Sequence, residues 1–194
     1  MKKIILASES PRRQSLLQQL GVEFTVSPAN IAEDLSNSIS PEQLVRSLAW
    51  RKARQVLQNQ PEGIVIAADT LVCWEGRVMG KPIDRDDAYA MLSQLSGQSH
   101  QVMTGLCVAE AADEVPDLAV EITNVFFRPL TDGEIKNYLS HDEWIDKAGA
   151  YAIQGRGALL VERIEGCFFN VVGLPLNRLN IMLRGKGLDL LEVH

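Results

Sequence analysis

The chain has 194 residues, of which 46% are hydrophobic and 23% charged, and its net charge is −6. This composition is typical of one soluble globular domain, here residues 1–194, that can bury a sizeable core. The acidic balance argues against extended nucleic-acid binding, and no apolar run approaches the ~20 residues of a membrane span. The apolar run after Lys2 and Lys3 is too short for a signal peptide, so we expect a cytoplasmic protein.

The first half of the chain predicts alternating strands and helices. Pro11 is expected at the first position of a helix with Ser10 as its cap, and Ser40 opens a longer helix through a capping box. The predicted order is a strand at 3–8, a helix at 11–20, a strand at 22–28, a loop at 29–39, a helix to about 58, a strand at 63–74 and a turn at Glu75-Gly76.

The second half adds antiparallel hairpins. We expect a helix from Asp84 to Gly97, strands at 100–111 and 118–130, a helix capped by Thr131, a hairpin over 158–172 that turns at Glu165-Gly166, and a last helix over 173–185. This order predicts an α/β (mixed α+β) fold with a mixed sheet flanked by helices.

Arg12 and Arg13 occupy an unusual place, the first turn of a predicted helix, where the partial positive charge favours acidic side chains. A bound phosphate would offset this cost, because the N-terminus of a helix after a strand binds anions and arginine can add bidentate contacts. Pairing with an acid such as Glu9, or exposure to solvent, explains the same pattern equally well.

Lys52 and Asp69 are polar residues in apolar surroundings. Lys52 falls on the apolar stripe of the second helix, and Asp69 follows the apolar run "GIVIAA". Carboxylates are rarely buried without a partner, so Asp69 is the sharpest candidate for chemistry. Lys81, in "GKP", is a weaker candidate for the same ligand. Snorkelling of Lys52 and a turn role for Asp69 remain the structural alternatives.

Two further features are compatible with a metal and a nucleotide. Glu33, in the long loop, is a candidate Mg²⁺ ligand only if Asp69 lies nearby. The segment "DKAGAYAIQGRGA" carries glycines around Gln154, whose amide both donates and accepts. This pattern is typical either of an ordinary glycine-rich loop or of a loop that forms a wall around a planar base.

Several segments in this order resemble one protein family. They are "ILASESPRRQSLL", "IAADTLV" with "GKP", "LSGQSHQVMTGL", "DKAGAYAIQGRGALLVERIEG" and "VVGLPL", which together run from residue 4 to 176. The combination is similar to the Maf family of nucleoside triphosphate pyrophosphatases, and "ADT" with "GAYAIQG" is closest to its dTTP/UTP subtype. One departure is Arg51, because the residue before Lys52 is usually acidic or an amide in this family.

The resemblance implies a strongly curved mixed sheet in two lobes around a central cleft, as in ITPase-like folds, and often a homodimer. It implies hydrolysis of dTTP, UTP and modified pyrimidine nucleotides by water, assisted by a divalent cation (Mg²⁺ or Mn²⁺). It further implies a role in nucleotide-pool sanitation and cell-division arrest. The alternatives are a pyrophosphatase for other modified or purine nucleotides, such as 7-methyl-GTP, and a nucleotide-binding regulator without turnover.

The resemblance also assigns roles to residues of this sequence. Asp69 matches the proton acceptor, and it matches a metal site together with Glu33. The residues that match the phosphate site are Ser8, Arg12, Arg13, Lys52 and Lys81. The residues that match positions of base selection are Arg12, Thr70 and Gln154.

Overall fold

The computed structural model describes residues 2–29, 31, 39–60 and 62–192. Its strands are β1 (Ile4–Leu6), β2 (Thr25–Val26), β3 (Ile64–Trp74), β4 (Arg77–Met79), β5 (Ser99–Ala109), β6 (Asp117–Phe127) and β7 (Val161–Glu165). Its helices are α1 (Pro11–Gln19), α2 (Pro41–Asn59), α3 (Arg85–Leu95), α4 (Asp132–Leu139), α5 (Phe168–Val172) and α6 (Leu176–Gly185). Two short 3₁₀ turns cover Ala148–Ala150 and Gly155–Leu159. None of the helices in these ranges is long and apolar enough to cross a membrane.

The seven strands form one mixed sheet, which confirms the predicted fold class. Along the sheet the order is β2, β1, β3, β5, β6 and β7, and β4 pairs with β3. The pairs of β1 with β2 and with β3 are parallel, whereas β3, β5, β6 and β7 form an antiparallel run. The Glu75-Gly76 turn between β3 and β4 has φ of 48° and 76°, as a tight hairpin requires.

Two predictions of local secondary structure are wrong. Only Thr25–Val26 of the predicted strand 22–28 is paired. The expected hairpin over 158–172 ends after β7, because the chain turns at Gly166 and enters α5. Phe168–Val172 has strand-like composition, but its Asn170 is fully buried and bonded to β5 and β6, so tertiary contacts override propensity.

Ser10 also differs from its expected role. It stands at the N-cap position of α1 without a side-chain cap bond, and its own backbone N–H instead donates to Ser8 Oγ at 3.2 Å. The capping boxes of Ser40 and Thr131 and the Asp84 cap are confirmed. The first turn of α1 therefore lacks the side-chain cap that α2, α3 and α4 have.

The sheet is interrupted on one side of β3. β1 pairs with residues 64–66 and β4 with residues 72–74, while β5 covers the other edge of β3 from 65 to 73. Within the described ranges, no strand pairs with residues 67–71 on the side of β1 and β4. A strand rise of about 3.3 Å per residue makes this opening roughly 16 Å long. Asp69 and Thr70 lie in it.

The two faces of the sheet bury different parts of the chain. α2 packs on one face, against alternate residues of β3 such as Val65 and Ala67. The other face buries Ile64, Ile66 and Ala68 in the larger core. Because side chains alternate along a strand, Asp69 points towards α2 and Thr70 towards the opposite face.

Gly105 allows α2 to approach the sheet closely. It stands opposite Asp69 in the β3–β5 ladder, and a Cβ built on it would lie 2.2 Å from the carbonyl oxygen of Val45. The three atoms nearest to that Cβ belong to the backbone of Val45 and Arg46 in α2, which cannot yield as a flexible side chain would. The missing side chain at position 105 therefore sets the distance between α2 and the strand that carries Asp69.

We expect Gly105→Ala to lower stability by about 1–3 kcal/mol, because the added methyl overpacks a backbone contact. Urea denaturation of the purified variant measures this change. Gly133→Ala is the matched control, since nothing lies within 4 Å of its Cβ in α4. There the same substitution should be neutral or slightly stabilising. Equal midpoints for Gly105→Ala and the wild type would contradict this account of the packing.

Candidate active site

A cleft of about 590 Å³ opens along the unpaired part of β3. Asp69 and Thr70 line it from β3, and Arg12 and Arg13 line it from the start of α1. The remaining walls come from Lys52 of α2, Lys81, residues 146–148, Tyr151, Ile153 and residues 171–173. The interruption of the sheet thus brings residues from both of its faces into one cavity.

The cleft is cationic although the protein is acidic. Its lining contains five cationic side chains, Arg12, Arg13, Lys52, Lys81 and Lys147, against three carboxylates, Glu9, Asp69 and Asp146. The chain as a whole has a net charge of −6. An excess of positive charge in a concave site attracts anions even when the rest of the surface repels them.

Lys52 and Asp69 form an ion pair in the cleft. Lys52 Nζ donates to Asp69 Oδ1, and the two side chains are only 11% and 6% exposed. α2 holds Lys52 on the stripe that faces the sheet, as its spacing predicted, while the neighbouring Arg51 is exposed. The pair explains how a carboxylate can be buried in the middle of an apolar strand, where it would otherwise be costly.

Arg13, in the first turn of α1, bonds to three other segments around the cleft. Its Nε donates to the carbonyl oxygen of Gly173 at 2.7 Å, its Nη1 to Ser8 Oγ at 3.1 Å and its Nη2 to Thr70 Oγ1 at 3.0 Å. These contacts orient the planar guanidinium between the start of α1, β3 and the turn after α5. Ser8 itself is buried behind Arg13.

Arg12 and Lys147 are partly buried cations of the cleft, and both have lowered pKa values. Burial lowers the pKa of Arg12. The pKa of Lys147 is lowered by burial first and by the neighbouring charges of Arg12 and Lys81 second, against the opposing effect of Asp146. Lys147 Nζ donates to the carbonyl oxygen of Ile145 at 2.8 Å. A bound anion would counter the neighbouring positive charges that lower the pKa of Lys147.

Tyr151 forms a fixed wall of the cleft. Its hydroxyl contacts His100 Nε2 at 2.7 Å, and both rings pack edge-on against Phe127. Burial lowers the pKa of His100 to about 4, so this histidine is neutral at pH 7. Ala150, just before Tyr151, has a φ of 60°, a strained conformation for a residue with a side chain and one often found at functional sites.

The structure brings most of the predicted site residues together. Lys52, Asp69, Thr70, Lys81, Arg12 and Arg13 all line the cleft, and Ser8 bonds to Arg13. Gln154 is exposed and is not among the lining residues, although Ile153 before it is. Glu33 lies outside the described residues, and the described ones contain no group of three metal-ligating side chains.

Sequence reasoning missed Lys147 and Tyr151 as parts of the site. Both lie in the segment "DKAGAYAIQGRGA", which drew notice for its glycines and for Gln154. A lysine flanked by Asp146 and a small residue resembles any exposed loop lysine, so no local signal marks it. Lys147 lines the cleft because the fold places it near Arg12.

Comparison with known proteins identifies relatives of the whole chain. A model of the family described as Maf-like protein matches residues 3–186. A dTTP/UTP pyrophosphatase of Caldicellulosiruptor bescii is 50% identical over 99% of this chain and 98% of the relative. The dTTP/UTP pyrophosphatase of Carboxydothermus hydrogenoformans is 50% identical over 95% of this chain and 99% of the relative. The one from Syntrophomonas wolfei is 46% identical over 96% of this chain and 99% of the relative.

Solved structures support the fold at low sequence identity. A HAM1 protein from Coxiella burnetii superposes with a TM-score of 0.53 at 17% identity, over 95% of this chain and 100% of that one. The Ham1 protein of Staphylococcus aureus gives a TM-score of 0.56 at 13% identity, with the same coverage. The family match over nearly the full length confirms the resemblance found in the motifs, and the chain belongs to the Maf-like protein family.

Proposed function

We propose that this protein hydrolyses dTTP and UTP to the nucleoside monophosphate and pyrophosphate. The observation that carries the proposal is the cationic cleft with the buried Asp69 carboxylate at the open edge of β3. Relatives that are up to 50% identical over nearly the whole chain are named dTTP/UTP pyrophosphatases, which supports the same reaction here.

The cations suit the charge of a triphosphate. Arg12, Lys81 and Lys147 face the cleft, and the strand-to-helix turn at Pro11 adds the positive end of α1. Preorganised positive groups stabilise the charge that develops on the leaving pyrophosphate as the α–β bridging bond breaks. A bound triphosphate would also remove the unfavourable crowding of the arginines at the helix start.

Asp69 is the residue suited to activate water. Its carboxylate lines the cleft and is held by Lys52, which fixes its orientation. As the water oxygen bonds to phosphorus, the water loses a proton that Asp69 can accept, and the pyrophosphate departs with the electrons of the broken bond. Ser8 and Arg13 keep the start of α1 against β3 during this step.

A divalent cation, Mg²⁺ or Mn²⁺, fits the chemistry of the site. Mg²⁺ binds proteins through one or two carboxylates and completes its coordination with substrate phosphates and water. Asp69 offers a carboxylate in the cleft, and Glu33, outside the described residues, is the second ligand that we propose. Such an ion neutralises phosphate charge and polarises a phosphoryl oxygen.

We further propose that modified pyrimidines such as 5-methyl-UTP and pseudo-UTP are substrates, with nucleotide-pool sanitation and cell-division arrest as the cellular consequences. The deciding assay incubates the protein with Mg²⁺ or Mn²⁺ and a panel of nucleotides that includes these and 7-methyl-GTP. Pyrophosphate release concentrated on pyrimidine nucleotides supports the proposal. Release from 7-methyl-GTP or purines indicates the alternative specificity, and binding without release indicates a regulator.

We expect Asp69→Asn to reduce pyrophosphate release at least about 100-fold, because the amide cannot accept the proton from water. The fold should persist, since the amide oxygen still accepts a hydrogen bond from Lys52. Circular dichroism and steady-state kinetics measure the two properties. Asp86→Asn is the control, because it changes an exposed carboxylate of α3 that does not line the cleft, and its turnover should equal that of the wild type. Normal turnover by folded Asp69→Asn would refute the role of Asp69.

Lys147→Gln should raise KM for UTP about tenfold, because a charged hydrogen-bonding group that faces the triphosphate is lost. The reference is Lys136→Gln, which removes an exposed lysine of α4 paired with Asp132. The reference should leave KM unchanged. Equal KM values for the wild type and Lys147→Gln would exclude Lys147 from phosphate binding.

Gln154→Ala should change the choice among nucleotides more than the maximal rate. A polar side chain that pairs with one base is left without a partner when a different base binds, and this difference in binding free energy provides selectivity. The measurement compares kcat/KM for UTP, dTTP, CTP and GTP. An equal decrease for every nucleotide would exclude Gln154 from base selection.

A further inference from the structure

The hydroxyl of Thr70 belongs to a chain of hydrogen bonds that leads away from the cleft. Arg13 Nη2 lies 3.0 Å from Thr70 Oγ1, and Thr70 Oγ1 lies 2.9 Å from Thr104 Oγ1. Thr104 Oγ1 in turn lies 3.1 Å from the backbone carbonyl oxygen of Asn170. Thr70 and Thr104 are direct partners in the β3–β5 ladder, so both side chains lie on the same face of the sheet.

The two ends of this chain determine the direction of its protons. A carbonyl oxygen only accepts, so Thr104 must donate its single hydroxyl proton to Asn170. Because that proton is used, Thr104 Oγ1 can only accept the hydrogen bond that joins it to Thr70. Thr70 must therefore donate its hydroxyl proton to Thr104. At the other end, a guanidinium only donates, so Thr70 accepts from Arg13. Thr70 therefore has no proton left for the cleft, and its remaining lone pair can accept one more hydrogen bond.

The acceptor end of the chain is firmly anchored. Asn170 is fully buried, and its side-chain Nδ2 donates to the carbonyl oxygen of Val102 and to Thr123 Oγ1, both at 2.9 Å. The reversed amide would place Oδ1 against the Val102 carbonyl, two acceptors in contact. Thr123 Oγ1 donates to the carbonyl oxygen of Cys167 and accepts from its N–H. α5 therefore cannot turn its Asn170 carbonyl away from Thr104 without breaking several buried bonds.

We propose that Thr104 is a positioning residue for base selection, because it makes Thr70 a hydrogen-bond acceptor towards the nucleotide. This inference rests on the proposed function and on the family resemblance, which gives Thr70 as a position of base selection. Thr104 is itself fully buried and is not part of the cleft lining, so it acts through Thr70 alone.

The chemistry of the pyrimidine ring makes this polarity selective. Uracil and thymine carry a proton on N3, whereas N3 of cytosine carries none and only accepts. A Thr70 hydroxyl that can only accept is complementary to the N3–H of uracil and thymine. With cytosine, a lone pair of Thr70 Oγ1 would instead face the lone pair of N3, and no hydrogen bond could form. An unpaired buried polar group is costly, so the polarity of one hydroxyl can separate UTP from CTP.

The test compares kcat/KM for UTP and CTP in Thr104→Val and Thr104→Ser. Valine keeps the shape of threonine but leaves the Thr70 proton free to point into the cleft, so the UTP-to-CTP ratio should fall at least about tenfold. Serine keeps the hydroxyl, so Thr104→Ser should retain the ratio of the wild type. A merely structural defect would lower both nucleotides equally and leave the ratio unchanged.

Val108→Thr is the matched control. It makes the reverse exchange of the same two side-chain shapes at a fully buried position of β5, in the larger core and outside the network of Thr70, Thr104 and Asn170. Its thermal stability should fall, because a hydroxyl is buried in apolar surroundings, while the UTP-to-CTP ratio remains that of the wild type. A fall of the ratio in Val108→Thr as large as in Thr104→Val would overturn the proposal, since the effect would then not require contact with Thr70.

A second measurement uses the unmodified protein and so does not depend on any variant folding. UTP methylated at N3 lacks the donor, and its kcat/KM should be at least about tenfold below that of UTP. Equal values for the two nucleotides, or an unchanged UTP-to-CTP ratio in folded Thr104→Val, would overturn the role of Thr104 while UTP hydrolysis itself persists. Failure of the wild type to release pyrophosphate from any nucleotide would instead reject the proposed function, and this inference with it.

Discussion

The structure depends on an opening in its sheet. β3 is paired along one edge by β5, but β1 and β4 cover only the two ends of its other edge. Within the described ranges, residues 67–71 therefore have no strand beside them on that edge, and Asp69 and Thr70 line the cleft there. Since consecutive side chains point to opposite faces, this opening exposes to one cleft both the α2 side, through Asp69, and the α1 side, through Thr70.

Each face of the sheet supplies a different kind of control. On the α2 side, the close approach at Gly105 brings a helix lysine to a strand carboxylate, and the buried Lys52–Asp69 pair results. On the other side, Arg13 binds β3 to the start of α1 and to Gly173. The first side concentrates the chemistry of the proposed reaction. The second side is a network of hydrogen bonds around the Arg13 guanidinium, and it fixes the positions of the groups that we propose for base selection.

The placement of cations at the start of α1 has a physical explanation in the structure. Arg13 donates to carbonyl and hydroxyl oxygens that surround it, so its charge is spread over several dipoles. Inside the cleft, burial and then the neighbouring charge of Arg12 lower the pKa of Lys147. Sites that store such repulsion are characteristic of functional centres, where a ligand of opposite charge relieves it.

Much of this molecule was predictable from local patterns. The capping boxes at Ser40 and Thr131, the Glu75-Gly76 turn and the long β5–β6 pair follow from short-range chemistry, which acts within a few residues. The apolar stripe that contains Lys52 and the apolar run that contains Asp69 also marked two polar residues as exceptional. Order of motifs along the chain was enough to identify the family.

Tertiary structure decided what these patterns could not. The sequence "CFFNVV" favours a strand, but buried bonds from Asn170 to β5 and β6 make it a helix, because long-range contacts outweigh propensity. Lys147 becomes part of the site only because the fold places it beside Arg12. The direction of the Thr70 hydroxyl depends on Thr104 and Asn170, 34 and 100 positions away in sequence. The sequence by itself determined which residues carry charge and where most helices and strands begin. Only tertiary packing determined which of the charged and polar side chains contact each other.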